Sequence, residues 1–151
     1  MSADRSLTVR ILSNKPFFSD LLIDFVTNYW TNKNYPRVSS LAKEDTEDFD
    51  FIDYPDWESL KPVLDYRESK GYLNVLTFIV DQLDEAMMII SKKLDMPHKE
   101  YHIHYELSFN PGIGKRQEDD DRSTDYEFYI AQIIPRLESL ECEIVEIECE
   151  D

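Results

Sequence analysis

Residues 101–109, Tyr-His-Ile-His-Tyr-Glu-Leu-Ser-Phe, decide the fold class. Tyr101, Ile103, Tyr105, Leu107 and Phe109 alternate with His102, His104, Glu106 and Ser108, the period-2 pattern of a strand with one face buried and the other in water. Such a strand belongs to an antiparallel or mixed sheet, because strands of all-parallel sheets are covered on both faces. The class expected is therefore α+β.

Upstream, Leu73 to Val80 is almost continuously apolar and β-branched, which predicts a central strand covered on both faces. Between these two strands, Asp81 reads as the cap of a helix whose Leu83, Ala86, Met87, Ile90 and Leu94 form one stripe, ended by Pro97. Thr8 to Ser13 reads as a first short strand. Asn14 and Pro16 then open an amphipathic helix carrying Phe17, Phe18, Leu21, Leu22, Phe25, Val26, Tyr29 and Trp30.

The polar piece 31–48 reads as a connection or irregular arm. Phe49 to Tyr54 is a short acidic strand suited to a sheet edge. A helix over 56–69 turns Trp57, Leu60, Val63 and Leu64 inward, with Gly71 past its end. After the loop 110–122, Thr124 and Glu127 predict a capping box for a helix carrying Tyr126, Ile130, Ile133, Leu137 and Leu140, kinked or restarted at Pro135. A last strand, 142–149, puts Val145, Ile147 and Cys149 on one face and Glu146 and Glu148 on the other. The sum is a single domain over 1–151, one mixed or antiparallel sheet of about five strands with about four helices packed on it.

Charge is the second strong signal. The chain holds 32 Asp and Glu against 16 Lys and Arg, and the excess is concentrated in 43–68, 117–127 and 138–151. A field of this kind attracts a basic protein and repels nucleic acid and anionic membrane. No run approaches the roughly 18 apolar residues of a membrane span, and no apolar stretch follows the N-terminus, so a cytoplasmic protein is expected. Cys142 and Cys149 fall on opposite sides of a strand, too far apart to pair, and read as reduced thiols.

Motifs for chemistry are sparse. His102, His104 and Glu106 share one strand face and are the candidate metal ligands, although His and Glu also populate solvated strand faces with no role. Gly112-Ile113-Gly114-Lys115-Arg116 has glycines and a lysine but not the spacing of a phosphate loop. No nucleophile elbow occurs. Neither a cofactor nor catalysis is expected.

Rings lie among the acids: Phe49, Phe51, Tyr54, Trp57 and Tyr66 in the first cluster, and Tyr126, Phe128 and Tyr129 beside the second. Aromatic anchors inside an acidic rim compose a protein-binding surface for a basic partner. In size, charge and composition the chain resembles the immunity proteins that bacteria keep against their own toxic nucleases. That resemblance implies neutralisation of a basic, nuclease-type toxin by charge-complementary binding, and it carries no residue roles with it. The contact residues expected are Asp48, Asp50, Asp53, Tyr54, Asp56, Trp57 and Glu58, with Asp119, Asp120 and Asp121 as a second region. Two other classes stay open: a general regulatory or adaptor protein or nucleic-acid mimic, and a small metal-dependent enzyme built on His102, His104 and Glu106.

Overall fold

The computed structural model describes residues 6–30, 38–81, 83–94, 103–112 and 125–150. Its elements in chain order are β1 (Ser6–Ser13), α1 (Phe18–Tyr29), β2 (Val38–Leu41), β3 (Phe51–Tyr54), α2 (Trp57–Ser69), β4 (Asn74–Val80), β5 (Glu85–Leu94), β6 (Ile103–Pro111), α3 (Tyr126–Ser139) and β7 (Glu143–Glu150). The alternation at 103–109 becomes β6, and every pairing in the sheet is antiparallel. The fold is α+β, but the sheet has seven strands, in the order β3-β2-β4-β5-β6-β1-β7, and the described residues form three helices.

Two strands stand where the sequence pattern predicts something else. Val38–Leu41, inside the supposed arm, pairs with both β3 and β4. The helix expected after Asp81 is instead β5, because Ala86, Met87, Ile90 and Leu94 satisfy the helical period while Glu85, Met87, Ile89 and Ser91 also alternate as one buried strand face. Pairing with β4 and β6 on both sides decides between the two periods. Asp81, the expected cap, therefore opens the β4–β5 connection instead of a helix, and Asp84 in that connection stands at φ +50°.

The helices share one core. Leu7, Val9 and Ile11 of β1, Phe78 of β4, Met87 and Ile89 of β5, and Tyr105, Leu107 and Phe109 of β6 cluster with Phe18, Leu21 and Phe25 of α1, Leu60 and Leu64 of α2, and Ile133 and Leu137 of α3. Trp30, just past α1, meets Phe25 edge-on at 4.9 Å and Phe109 at 6.2 Å. The opposite sheet face bears no helix of the described residues. There Val75 is buried and Thr77, Met88 and Ile90 are half-buried, so among the described residues the helices cover β4 on one face.

Helix ends follow local chemistry. Asp125, not Thr124, caps α3, its carboxylate accepting the Phe128 N–H at 3.2 Å, and Thr124 lies outside the described residues. The helix runs through Pro135 as one element. Gly71, at φ +77°, lets the Gly71 and Tyr72 N–H groups close α2 onto the Glu68 and Arg67 carbonyls.

The cap of α1 comes from another helix. Phe17 offers no capping side chain, and the free N–H of Phe18 is accepted at 3.0 Å by the buried Glu68 of α2. Burial raises the Glu68 pKa above the ordinary carboxylate value, against the lowering by Phe18 and Lys93. Its stability contribution is therefore complete below the pH where a free glutamate titrates, and it is lost as pH rises through the higher folded value. Glu68→Gln keeps an oxygen for Phe18 and stays neutral, so its stability relative to the native protein is expected to improve from pH 4 to pH 7 in urea unfolding. Glu68→Ala orphans the N–H and is expected to lose ~1–3 kcal/mol at any pH. A Gln variant that weakens as pH rises contradicts this assignment.

Candidate protein-binding surface

The acidic segment 43–58 is built outward from one buried arginine. Arg67 of α2 is 1% exposed, and its guanidinium donates to the carbonyls of Ala42 at 2.7 Å, Asp45 at 2.7 Å and Leu73 at 2.9 Å. It thus pins the β2–β3 connection to α2 and to the start of β4. Asp45 carries the order onward, its carboxylate accepting N–H groups from Glu47, Asp48, Phe49 and Asp50 at 2.9–3.3 Å. Desolvation pushes the Asp45 pKa up, but the four amides outweigh it and hold the pKa below the ordinary value. The amides therefore stay anchored until the pH falls through that lowered value.

This caging holds Phe49 at φ +54°, a left-handed conformation that a phenylalanine adopts at a cost of about 1–2 kcal/mol. Its ring is 46% exposed, and Phe51 and Ile52 on β3 are 44% and 43% exposed. Six large hydrophobics are exposed among the described residues, and three of them fall within positions 49–52. Asp48, Asp50, Asp53, Asp56 and Glu58 flank or interrupt them in sequence, all exposed. Glu44, Asp45, Glu47, Asp48 and Asp50 also line an open groove of about 450 Å³.

The cations of this segment are turned elsewhere. Lys43 sits 4.3 Å from the Tyr66 ring centroid, and Lys61 binds Asp65 at 2.9 Å and Asp20 at 3.1 Å. Arg67 faces carbonyls.

Several expected contact residues have structural employment. Asp56 caps α2, accepting the Ser59 N–H at 2.8 Å, and that bond together with the Ser59 hydroxyl lowers its pKa. Asp53 accepts the Ser39 hydroxyl across the β2–β3 pair. Tyr54 donates to the Leu41 carbonyl at 3.2 Å, and Tyr54 and Trp57 are half-buried against the core, so their rings face inward more than those of Phe49 and Phe51. Asp119, Asp120 and Asp121 lie outside the described residues. Phe49 and Phe51 are among the rings of the first acidic cluster but not among the expected contact residues, and Ile52 is in neither set. The signal available for Ile52 was acidic alternation on an edge strand, where an apolar side chain has an open flank.

The other terminal strand of the sheet, β7, is differently made. A register shift opposite Arg10 and Ile11 leaves Val145 as an extra residue, so Ile144, not Val145, pairs with Ile11 and shares the face of Ile147 and Cys149. Arg10 bonds both Glu106, at 3.0 Å, and Glu146, partly neutralising that end. Cys142 is buried, its thiol pushed up to about 11, and Cys149 is exposed on β7; both are free.

Of the metal candidates, His102 lies outside the described residues, Glu106 is engaged by Arg10, and His104 is 6% exposed with neither ring nitrogen hydrogen-bonded to a described residue. Leu12 and Leu94 flank His104 on the neighbouring strands. No group of three potential ligands occurs among the described residues. Of the glycine-lysine loop, Gly112 alone is described. Its N–H meets the Ala86 carbonyl at 2.7 Å, and an added Cβ would lie 3.0 Å from that oxygen, so close strand approach accounts for this glycine. No helix among the described residues is long and apolar enough to cross a membrane.

Neither protein-family models, nor curated proteins, nor solved structures yield a match to this chain.

Proposed function

We propose that the chain is a non-catalytic protein-binding module that neutralises a basic, nuclease-type toxin in the manner of an immunity protein. The observation that carries this reading is the run Phe49, Phe51 and Ile52, exposed within a rim of Asp48, Asp50, Asp53, Asp56 and Glu58 whose neighbouring cations point away. Apolar anchors supply the buried contact area of an interface, and the carboxylates steer a cationic partner and exclude acidic ones. A nuclease surface that holds phosphate carries the opposite charge pattern. The strained Phe49 is consistent with this role, because backbone strain persists where surrounding structure fixes it and gathers at functional positions.

The test is a titration with small basic nuclease domains at rising ionic strength, reading both association and nuclease activity. Binding that inhibits the nuclease and weakens steeply with salt is expected. Absence of binding to any basic domain contradicts the proposal.

A further inference from the structure

We infer that the occupant of this surface is an extended, cationic strand of the partner protein, added to the sheet at β3. The inference rests on the reading of 44–58 as a binding surface for a basic protein, and it specifies how the two chains meet. β3 is the terminal strand of the sheet and pairs with β2 alone among the described strands, so one flank of its main chain has no strand neighbour there. Each side-chain face next to that flank carries an exposed apolar residue. Register places Phe51 beside Leu41 on the helix-free face and Ile52 beside Ser40 on the helix-bearing face, and Asp53 follows Phe51 on the first. A flat helix or globular surface could cover one of those faces. An added strand reaches both, because its successive side chains point to opposite sides.

Charge sets the sign of that strand. Asp48 and Asp50 precede β3, Asp53 lies within it, and Asp56 and Glu58 follow, so a strand with regularly spaced Lys or Arg and apolar residues between them matches the edge. A second copy of this chain does not, since β3 against β3 would bring two acidic edges together. The β7 edge fits less well: Val145 disrupts its ladder and Arg10 already occupies Glu146, features that discourage strand addition.

Two labelled eight-residue peptides test this, one alternating Lys and Val, the other alternating Lys and Pro. They share charge and length, but the prolines remove half of the N–H donors and resist the sheet. The Lys-Val peptide is expected to bind about 10-fold more tightly, the equivalent of one or two net main-chain hydrogen bonds. It should also slow amide exchange at 51–54. Equal binding of the two peptides overturns strand addition and leaves the charge-based surface standing. Binding of neither peptide overturns both. Protection at 143–150 in place of 51–54, or protection at β3 that grows with protein concentration in the absence of peptide, overturns the assignment of β3 to a partner strand.

Discussion

Replacing Asp50, Asp53 and Asp56 together with asparagine is expected to slow association with a basic partner by about 10-fold or more and to flatten its dependence on salt, because charge steering supplies roughly 10 to 10³ of such a rate. The substitution isolates charge from structure. Asparagine in place of Asp56 can cap α2 as well as aspartate does, keeping an oxygen for the Ser59 N–H. In place of Asp53, it retains an acceptor for the Ser39 hydroxyl. The thermal midpoint should therefore hold while the association rate, measured by stopped-flow or surface capture, falls. Dissociation should change less, since it depends on the packed contacts of Phe49, Phe51 and Ile52. An unchanged association rate would reduce these carboxylates to solvent-facing decoration of an edge strand.

Arg67→Met is expected to produce the largest loss of stability of any polar substitution in the described residues, about 3 kcal/mol in urea unfolding. Methionine fills much of the same space and donates nothing. The carbonyls of Ala42, Asp45 and Leu73 would lose a charged donor that each now has at 2.7–2.9 Å. The effect should reach the surface as well. Once the Asp45 main chain is released, its carboxylate no longer stands where the amides of 47–50 converge, and their exchange should quicken. A variant as stable as the native protein, with those amides still protected, would show that Arg67 does not organise the loop.

How far the sequence spoke depended on whether one pattern had a single solution. The alternation at 103–109 and the edge character of 49–54 each had one, and the structure has both, the edge strand running over Phe51–Tyr54. Residues 85–94 had two, since Met and Ile in adjacent pairs satisfy a helix stripe and a strand face at once, and only the neighbouring strands choose. The bulge at Val145 was invisible because a register shift is a property of two strands, and the pattern of one strand says nothing of where its partner slips.

The same limit applied to the surface. Ten acids within 43–68 look interchangeable in sequence, yet Asp45 cages a loop, Asp56 caps a helix, Glu68 caps a different helix, and Asp48 and Asp50 have exposed side chains. In the sequence Arg67 is only one of three cations among those ten acids. Its burial depends on carbonyls contributed from 42–45 and from Leu73, which no helical period could announce.

Amide chemical-shift mapping of the isotope-labelled protein, titrated with a basic nuclease domain that it binds, addresses the location of the interface directly. Perturbations concentrated at 47–54 and the first turn of α2 are the expected result. Changes centred on 143–150, or spread evenly over the exterior, would contradict the assignment of partner binding to the Asp45-caged loop and β3.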